Sequence, residues 1–384
     1  METFISKVTD YILEHYQHDF KQLTIVFPNR RAGIYLKKEL ASKAGKTIWL
    51  PKILSIEEAF VEWSGIDLAD PLSIVFELLE IYLNNNPDKA NDLNIFIGYA
   101  QQMAREFDEI DHYLVDTDIL FNYLSEAKAI ELWHADGSPL TVYEQNYLAF
   151  FKSLNSFYKS LKHRLNSKKI GYQGSIAAHL AGLKNDDLLS ILGNTIVIFA
   201  GFNALTPAEE KVISSLANEG KATILWDLDS YYINENKFGW HEAGSSIRKF
   251  GKNHPKLLKN WIDTNLLEDE KKIHLIGVPG NIGQAKAAGH YLQMTATQSS
   301  TLSGTAVVLA DEKLLSPVLN SIPDEVGKFN VTMGLPFIYS PVYQFIISLF
   351  ELKLQRFQKN EGTLVPLKPL IGLLQHELIS QFVS

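Results

Sequence analysis

Cysteine is missing from this sequence of 384 residues, and its absence excludes several kinds of site at once. Disulfide-stapled folds, thiolate zinc sites, iron–sulfur clusters and cysteine nucleophiles all need thiol side chains. The chain also has no apolar run of the roughly 18 residues that a membrane span requires. Residues 1–7 carry neither the basic segment nor the apolar core of a signal peptide. We therefore expect a cytoplasmic protein without a membrane partner.

Motifs for hydrolytic and nucleotide-dependent chemistry are scarce as well. The eleven histidines show no H-E-x-x-H spacing, and no G-x-S-x-G elbow is present. Gly45-Lys46-Thr47 contains the end of a phosphate loop, but Leu40 occupies the position of the loop's first glycine. A predicted helix also precedes the triplet, which reverses the order that a phosphate loop needs. A coincidental turn is the better interpretation, and we expect no metal and no other cofactor.

A second glycine-rich segment, residues 277–283, lies between a predicted strand and a predicted helix, where anions often bind. Its glycine spacing differs from the dinucleotide fingerprint, and Pro279 removes one N–H donor. Gln284 stands where a phosphate loop has lysine. A plain strand-to-helix turn is therefore favoured over a phosphate site.

Charge is unevenly distributed along a chain whose net charge is −8. Residues 21–52 contain eight basic side chains and one acid, Glu39, whereas residues 53–126 contain sixteen acids and only Lys89 and Arg105. One interpretation is a surface for phosphates beside a surface for something else. The simpler interpretation is a pair of solvated helix faces of opposite sign.

Hydrophobic patterning predicts an α/β fold with a large helical insertion. Short apolar runs predict strands at 23–27, 47–50, 195–200, 222–226, 272–277 and 305–310. Helical spacing predicts helices at 4–18, 31–43, 283–295 and 368–384, one starting at Pro207 with Thr206 as its cap, and almost wholly helical structure over 55–183. We expect a sheet domain formed by residues 1–54 and 186–270, an insertion at 55–185, and the start of a second α/β domain at 271–384.

Two acidic clusters are candidates for catalytic sites. Residues 107–112 (FDEIDH) belong to a predicted amphipathic helix, where a solvated face is the default interpretation. Asp227 and Asp229 end a predicted strand and so can point into a cleft, but no lysine is near them in the sequence, as a two-metal nuclease would usually have. Neither cluster predicts catalysis.

A basic cluster follows the first predicted strand. Pro28, Asn29, Arg30 and Arg31 stand at its carboxyl end, which is where open α/β sheets place their ligands. Two arginines can hold phosphates through bidentate contacts. A capped, solvated helix start explains the same residues equally well, so both interpretations stay open.

Six segments together resemble one family. They are residues 24–33 (TIVFPNRRAG), 107–111 (FDEID), 198–205 (IFAGFNAL), 226–232 (WDLDSYY), 306–312 (AVVLADE) and 330–336 (NVTMGLP). On these motifs the chain resembles, over nearly all its length, the helicase-like half of AddB-type proteins. These are relatives of RecC in the Bacteroidetes-type PD-(D/E)XK nuclease family. The resemblance implies that the first α/β domain is RecA-like and that the second is a further helicase-like domain.

The resemblance also implies roles for particular residues. In superfamily 1 helicases the segment like 26–33 touches single-stranded DNA, which assigns nucleic-acid contacts to the following residues: Pro28, Asn29, Arg30, Arg31, Lys37 and Lys38. The strand at 195–200 resembles the one that carries the Walker B acids, but here the sequence has Ala200-Gly201-Phe202. An active motor needs an Asp for Mg²⁺ and a Glu for water there. The first glycine of the chain is Gly33, so no phosphate loop precedes the DNA motif.

The expected function is therefore that of a non-motor, helicase-like subunit in double-strand break repair and recombination. Such a subunit binds single-stranded DNA or a duplex end beside an AddA-type helicase–nuclease subunit. This chain is expected not to be an enzyme, and relatives continue into a C-terminal nuclease domain that is absent here. Two alternatives stay open: a protein-interaction scaffold that docks the motor subunit through the insertion without touching DNA, and a nucleotide-dependent enzyme that uses residues 277–283.

Overall fold

The computed structural model describes residues 3–16, 20–45, 47–87, 93–131, 139–235, 239–258, 262–298, 302, 304–334, 336–359 and 362–383. Several sequence predictions involve residues outside these ranges, among them 17 and 18 of the first helix, Lys46 of the Gly-Lys-Thr triplet, 88–92 (with Lys89) and 132–138 of the insertion, Leu335 and Ser384. The chain divides into two compact units, Met1–Glu270 and Lys271–Ser384. No helix in the described ranges is both long and apolar enough to cross a membrane.

The first unit contains a small sheet and many helices. Its strands are β1 (Leu23–Phe27), β2 (Lys52–Ser55), β3 (Asp67–Leu68), β4 (Ile170–Gly171), β5 (Ile196–Ala200), β6 (Ala222–Leu225), β7 (Leu228–Asp229) and β8 (Ile262–Asp263). Its helices are α1 (Phe4–His15), α2 (Arg30–Lys43), α3 (Ile56–Ser64), α4 (Pro71–Asn85), α5 (Leu93–His112), α6 (Thr117–Glu131), α7 (Val142–Ser167), α8 (Gln173–Gly182), α9 (Asn185–Leu192), α10 (Pro207–Asn218), α11 (Ser230–Ile233), α12 (Ser245–Asn253) and α13 (Asn265–Glu268).

Four parallel strands form the central sheet in the order β2-β1-β5-β6. Every residue of β1 is buried, because helices cover both faces of the sheet. Ile25 and Ile198 face a core with α1 and α2, whereas Val26 and Phe199 face a core with α3, α8 and α10. This two-residue alternation explains why the strands are continuous apolar runs, and the prediction of an α/β fold is confirmed.

The strand predicted at 47–50 is wrong, because the second strand of the sheet is β2, at Lys52–Ser55. Its register pairs Ile53 with Ile25 and Leu54 with Val26. Pro51 has no N–H to donate and precedes the strand instead of ending it. Trp49 is 82% exposed, so the apolar residues that resemble a strand lie outside the sheet.

Helices α4 to α7 form a body with its own core, which contains Phe96, Phe107 and Phe157. The helices α3 and α8 flank this body in the sequence and belong to the core of the sheet, and α8 also packs against α5 of the body. The strands β3 and β4, which lie just before α4 and just after α7, pair in parallel, with Asp67 opposite Ile170 and Leu68 opposite Gly171.

Basic residues of α7 pair with carboxylates of the acidic block. Arg164 bonds to both Glu77 and Glu80, Lys168 also bonds to Glu77, and Lys159 bonds to Asp118. The acids that appear unbalanced over residues 53–126 are therefore compensated in part by a helix that follows them in the sequence. The surface of the helical body therefore carries less net negative charge than the composition of residues 53–126 suggests.

In the second unit the helix of the predicted strand–helix–strand arrangement is present, but the two predicted strands are wrong. The helix α14 (Gly280–Gln298) is present, but residues 272–277 and 305–310 form no strand and pair with no described strand. Leu275 is 95% and Val308 89% exposed. A buried parallel strand needs neighbours in the hydrogen-bonding direction and covering layers on its faces, and these two segments have neither.

Beyond α14, the described residues of the second unit form four more α-helices and one hairpin, joined by irregular segments. Its further elements are α15 (Leu315–Leu319), α16 (Pro341–Leu354), β9 (Phe357–Lys359), β10 (Gly362–Leu364), α17 (Leu367–Leu374) and α18 (Glu377–Val383). The single helix predicted over 368–384 is wrong, because α17 ends at Leu374 and α18 begins after a break at Gln375 and His376.

Candidate nucleic-acid interface

The loops that leave β1 and β5 are neighbours at the carboxyl edge, the edge of the central sheet where its four strands end. Val26 pairs with Phe199, so Pro28 and Gly201 leave the sheet side by side. From β1 the chain crosses to β2 on one side, and from β5 it crosses to β6 on the other. Such a switch in direction opens a crevice between the two loops, and ligands of open α/β sheets bind in that crevice.

Asn29 has a structural role at the start of α2. Its Oδ1 atom accepts hydrogen bonds from the backbone N–H groups of Arg31 (3.1 Å) and Ala32 (3.2 Å). This is the N-cap arrangement that satisfies donors in the first helical turn. The cap holds the two arginines at the crevice and leaves the amide nitrogen of Asn29 for a ligand.

Arg30 is exposed but already paired. Its Nε atom lies 2.7 Å from Oε1 of Glu58, and 77% of its side chain is accessible. Glu58 belongs to a capping box at the start of α3, in which Ser55 and Glu58 bond to each other's backbone N–H groups. The hydrogen bond from the Ser55 N–H, helped by Arg30, holds the pKa of Glu58 below its usual range. A phosphate must compete with this fixed carboxylate for Arg30.

One face of α2 mixes basic and apolar side chains in solvent. Arg31, Ile34, Tyr35 and Lys38 follow helical spacing and are all exposed, Tyr35 by 57%. Arg31, Lys38 and the equally exposed Lys37 have no ion-pair partner in the described part of the chain. Cations beside an aromatic ring suit a flexible strand, whose phosphates need charge and whose bases need a flat surface.

At the end of β5 the three residues in the Walker B position serve packing. Ala200 is fully buried, and Phe202 packs edge-on against Phe199 with ring centroids 6.0 Å apart. Gly201 has φ +72°, and a Cβ there would lie 3.1 Å from the ring of Phe4. This left-handed, crowded position favours glycine. None of the three can supply a carboxylate to a magnesium ion.

The acidic residues after β6 meet a lysine that is distant in the sequence. Lys7 of α1 donates to both carboxylate oxygens of Asp263, at 2.6 and 2.7 Å. Partial burial and the nearby charge of Asp263 raise the pKa of Asp227, and Lys7 opposes that rise. Asp229 is buried and accepts from the N–H groups of Tyr231 and Leu266. These two hydrogen bonds hold the starts of α11 and α13 beside β7. Within the described ranges no group of three potential metal ligands occurs.

A second surface that combines basic and aromatic side chains lies at Trp240 and α12, and the sequence patterns did not predict it. The guanidinium of Arg248 lies 5.0 Å from the ring centroid of Trp240, which is 55% exposed. The carbonyl oxygens of Tyr232 and His241 accept from its Nη1 atom at 2.7 and 2.8 Å, which fixes Arg248 under the ring. The signal in the sequence was a tryptophan followed by Arg248, Lys249 and Lys252, with no acid in α12.

Helix α12 lies beside the carboxyl edge. Its Phe250 packs against Trp226, the residue after β6, with ring centroids 5.0 Å apart. The indole N–H of Trp226 also donates to the carbonyl of Leu257, just beyond α12. Because β1 and β6 flank β5 in the sheet, the α2 and α12 surfaces stand on opposite sides of the loop at Gly201.

The cluster at 107–112 is not the solvated face that its pattern favours. Asp111 is buried and accepts hydrogen bonds from Tyr158 Oη (2.6 Å), Tyr172 Oη (2.7 Å) and Lys162 Nζ (2.9 Å). Asp108 accepts from the backbone N–H of Gly174 (2.7 Å) at the start of α8. The two carboxylates therefore fasten α5 to α7 and α8, which is a structural role.

Neither glycine motif forms a phosphate loop in the residues described. Gly45 has φ +61° and follows Ala44, the C-cap of α2, as glycines that end helices do. Gly280 is the first residue of α14, so residues 280–283 form helix and not a loop before it.

Among known proteins, no family model matches this chain and no curated protein matches it either. The function of the chain has therefore to be inferred from its own residues and their geometry.

Proposed function

We propose that this chain is a non-motor, helicase-like subunit that binds single-stranded DNA or a duplex end along the carboxyl edge of a RecA-like sheet. The observation that carries the proposal is the pair of surfaces on α2 and α12. The α2 surface has exposed basic side chains beside Tyr35, and the α12 surface has exposed basic side chains beside Trp240. The two surfaces flank one crevice. The resemblance of the sequence to AddB-type proteins further suggests that the subunit acts in double-strand break repair beside an AddA-type motor subunit.

The charge distribution supports this proposal although the net charge is −8. Phosphates respond to the local field within about one Debye length, roughly 8 Å at physiological salt. Arg31, Lys37, Lys38, Lys249 and Lys252 are the exposed cations of α2 and α12 that such a phosphate would meet. Four acids of the helical body, Glu77, Glu80, Asp111 and Asp118, are paired with basic residues on or just after α7, which reduces their field at a distance.

The residues that an ATP-driven motor needs are missing from both places where the resemblance would put them. No glycine precedes Gly33, and Ala200-Gly201-Phe202 holds no acid. Calorimetric titration with ATP and Mg²⁺ tests this part of the proposal. We expect no saturable heat, and micromolar binding would favour a nucleotide-dependent enzyme instead.

Binding of a fluorescent oligothymidylate, followed by anisotropy over a range of salt concentrations, tests the DNA-binding part. The doubly substituted variant Arg30→Ala/Arg31→Ala should bind at least about tenfold more weakly and show a smaller salt slope, by about 0.7 for each lost phosphate contact. Arg105→Ala is the matched control, because Arg105 is exposed on α5 away from the crevice. Equal affinities for wild type and the double variant would refute the assignment.

A second candidate function is docking of the AddA-type subunit through the helical body without DNA contact. Large apolar side chains stand in solvent there, with Ile119 and Tyr123 on α6 and Val142 and Tyr143 on α7. Exposed apolar groups of this size mark protein-binding surfaces when they cluster. Ile119→Asp/Tyr123→Asp should then abolish co-elution with the partner and leave oligonucleotide binding unchanged.

A further inference from the structure

A cleft of about 510 Å³ lies in the helical body, between the end of α4, the first half of α5 and the first half of α7. This volume falls in the range of clefts that hold small organic ligands, roughly 300–1,000 Å³. It is remote in the sequence from the α2 and α12 surfaces, and neither surface contributes a residue to it.

Aromatic rings form the walls and floor of the cleft. Tyr82 stacks on Phe96 with ring centroids 4.0 Å apart and an angle of 17° between the rings. The ring centroids of Tyr99 and Phe150 are 5.2 Å apart, and those of Phe96 and Phe157 are 5.5 Å apart, with the rings of each pair tilted. Phe96 and Phe157 are buried, whereas Tyr99 is half exposed at the mouth. A flat ligand gains most from such walls, because its faces can stack on the rings.

Two side-chain amides at the cleft are available to a ligand. Asn85 and Asn146 both line it, both are exposed, and neither side chain bonds to another described residue. An amide offers donors and an acceptor together, so it suits a ligand whose edge also carries both. The described lining residues include no charged side chain, which favours an uncharged ligand group.

An exposed cation belongs to the same stretch of α7 as the cleft lining. Lys152 is one helical turn from Ala149 and next to Ser153 in the sequence, and it has no ion-pair partner in the described ranges. An uncharged flat group inside and a cation outside fit a base whose phosphate remains in solvent. An apolar peptide anchor would use the rings but neither the amides nor the lysine.

We propose that this cleft binds one unpaired nucleobase, stacked on the accessible aromatic rings that line it and bonded to Asn85 and Asn146. Asparagine pairs with base edges through its two amide groups, and aromatic side chains stack on bases of every kind. The base can come from a free nucleoside or from a DNA strand, and the second source rests on the function proposed above.

Saturation-transfer NMR of the whole chain with deoxyadenosine and thymidine tests the proposal. Asn85→Leu/Asn146→Leu keeps the shape of the cleft and removes its amides, and should weaken nucleoside binding about tenfold or more, as the loss of two hydrogen bonds predicts. Asn166→Leu is the matched control, because it places the same exposed leucine on α7 outside the cleft. Circular dichroism should show unchanged folding in all three proteins.

Competition with an oligothymidylate separates the two sources. Displacement of the nucleoside by the oligonucleotide supports a base on a DNA strand, and binding without displacement supports a free nucleoside. Because Arg30→Ala/Arg31→Ala leaves the cleft intact, it should still bind nucleosides even if the carboxyl edge does not bind DNA. No binding by wild type overturns the proposal, as does binding of indole or an aromatic peptide that the two leucines leave unchanged.

Discussion

The Nε atom of Arg30 lies 2.7 Å from Oε1 of Glu58, so one arginine of the proposed interface is neutralised by a carboxylate that a capping box holds in place. The pair is solvent-exposed, and such pairs contribute little to stability, about 0–1 kcal/mol. Its main consequence is electrostatic, because a phosphate that approaches Arg30 also approaches Glu58.

Glu58→Gln should therefore strengthen binding of single-stranded DNA. Glutamine also fits the third position of a capping box, so α3 should keep its start while the repelling charge is lost. We expect affinity to rise about threefold at low salt, the scale of an exposed ion pair, and the gain to fade as salt increases. Anisotropy titrations at two salt concentrations measure this. Weaker binding at low salt would mean that Glu58 positions Arg30 for the phosphate.

Asp111→Asn should destabilise the chain strongly. The variant removes a buried charge that accepts from Tyr158, Tyr172 and Lys162, and it leaves the Lys162 ammonium without its counter-ion. Lys162 is 30% exposed and can reach water, so the cost comes mainly from the weakened hydrogen bonds of the two tyrosines, about 1–3 kcal/mol for each buried group left unpaired. Urea denaturation measures the change, with Asp118→Asn as control because that carboxylate meets Lys159 in solvent. Equal midpoints for the two variants would contradict the role given to Asp111.

Ionisation of Tyr158 and Tyr172 should couple folding to alkaline pH. Burial raises the pKa of both phenols, and their bonds to Asp111 raise it further. A raised pKa in the folded state means that stability is complete below the usual tyrosine pKa of about 10 and falls as pH rises beyond it. Urea denaturation across alkaline pH should show this decline.

The matched variants for that decline are Tyr172→Phe and Tyr143→Phe. Tyr172→Phe removes a buried phenol, so the free energy of unfolding should fall less steeply with alkaline pH, although the variant is less stable than wild type at every pH. The second removes a phenol that is exposed on α7 and should leave the slope as in wild type. An unchanged slope in Tyr172→Phe would show that this phenol does not resist ionisation.

Local sequence signals predicted the parts of the fold that local interactions decide. The strands at Leu23–Phe27 and Ile196–Ala200 are continuous apolar runs bounded by turns, and both form where expected. Thr206 and Pro207 start α10 with the predicted cap, and Glu209 completes a capping box. These features depend on residues within one turn or one strand of each other.

Features that depend on distant partners were not predictable in the same way. The position of β2 is set by the pairing of Ile53 with Ile25 on β1. The local sequence around Pro51 does not show on which side of the proline the strand lies. Asp111 has an ordinary position on an amphipathic helix, and only Tyr158 and Tyr172, 47 and 61 residues away, make it a buried acceptor. Lys7 likewise reaches Asp263 across 256 residues. The strands expected at 272–277 and 305–310 had the right local pattern without partners to pair with.

Photo-crosslinking tests the carboxyl edge as the DNA-binding surface most directly. An oligothymidylate that carries 5-iodouracil is irradiated on the whole chain, and mass spectrometry locates the linked residues. Both proposed surfaces hold an exposed aromatic ring, so we predict links at Tyr35 on α2 and at Trp240 beside α12, with loss of the first in Tyr35→Leu. Links confined to other surfaces, such as Tyr143 on α7, or no saturable links at all, would contradict a DNA-binding role for the carboxyl edge.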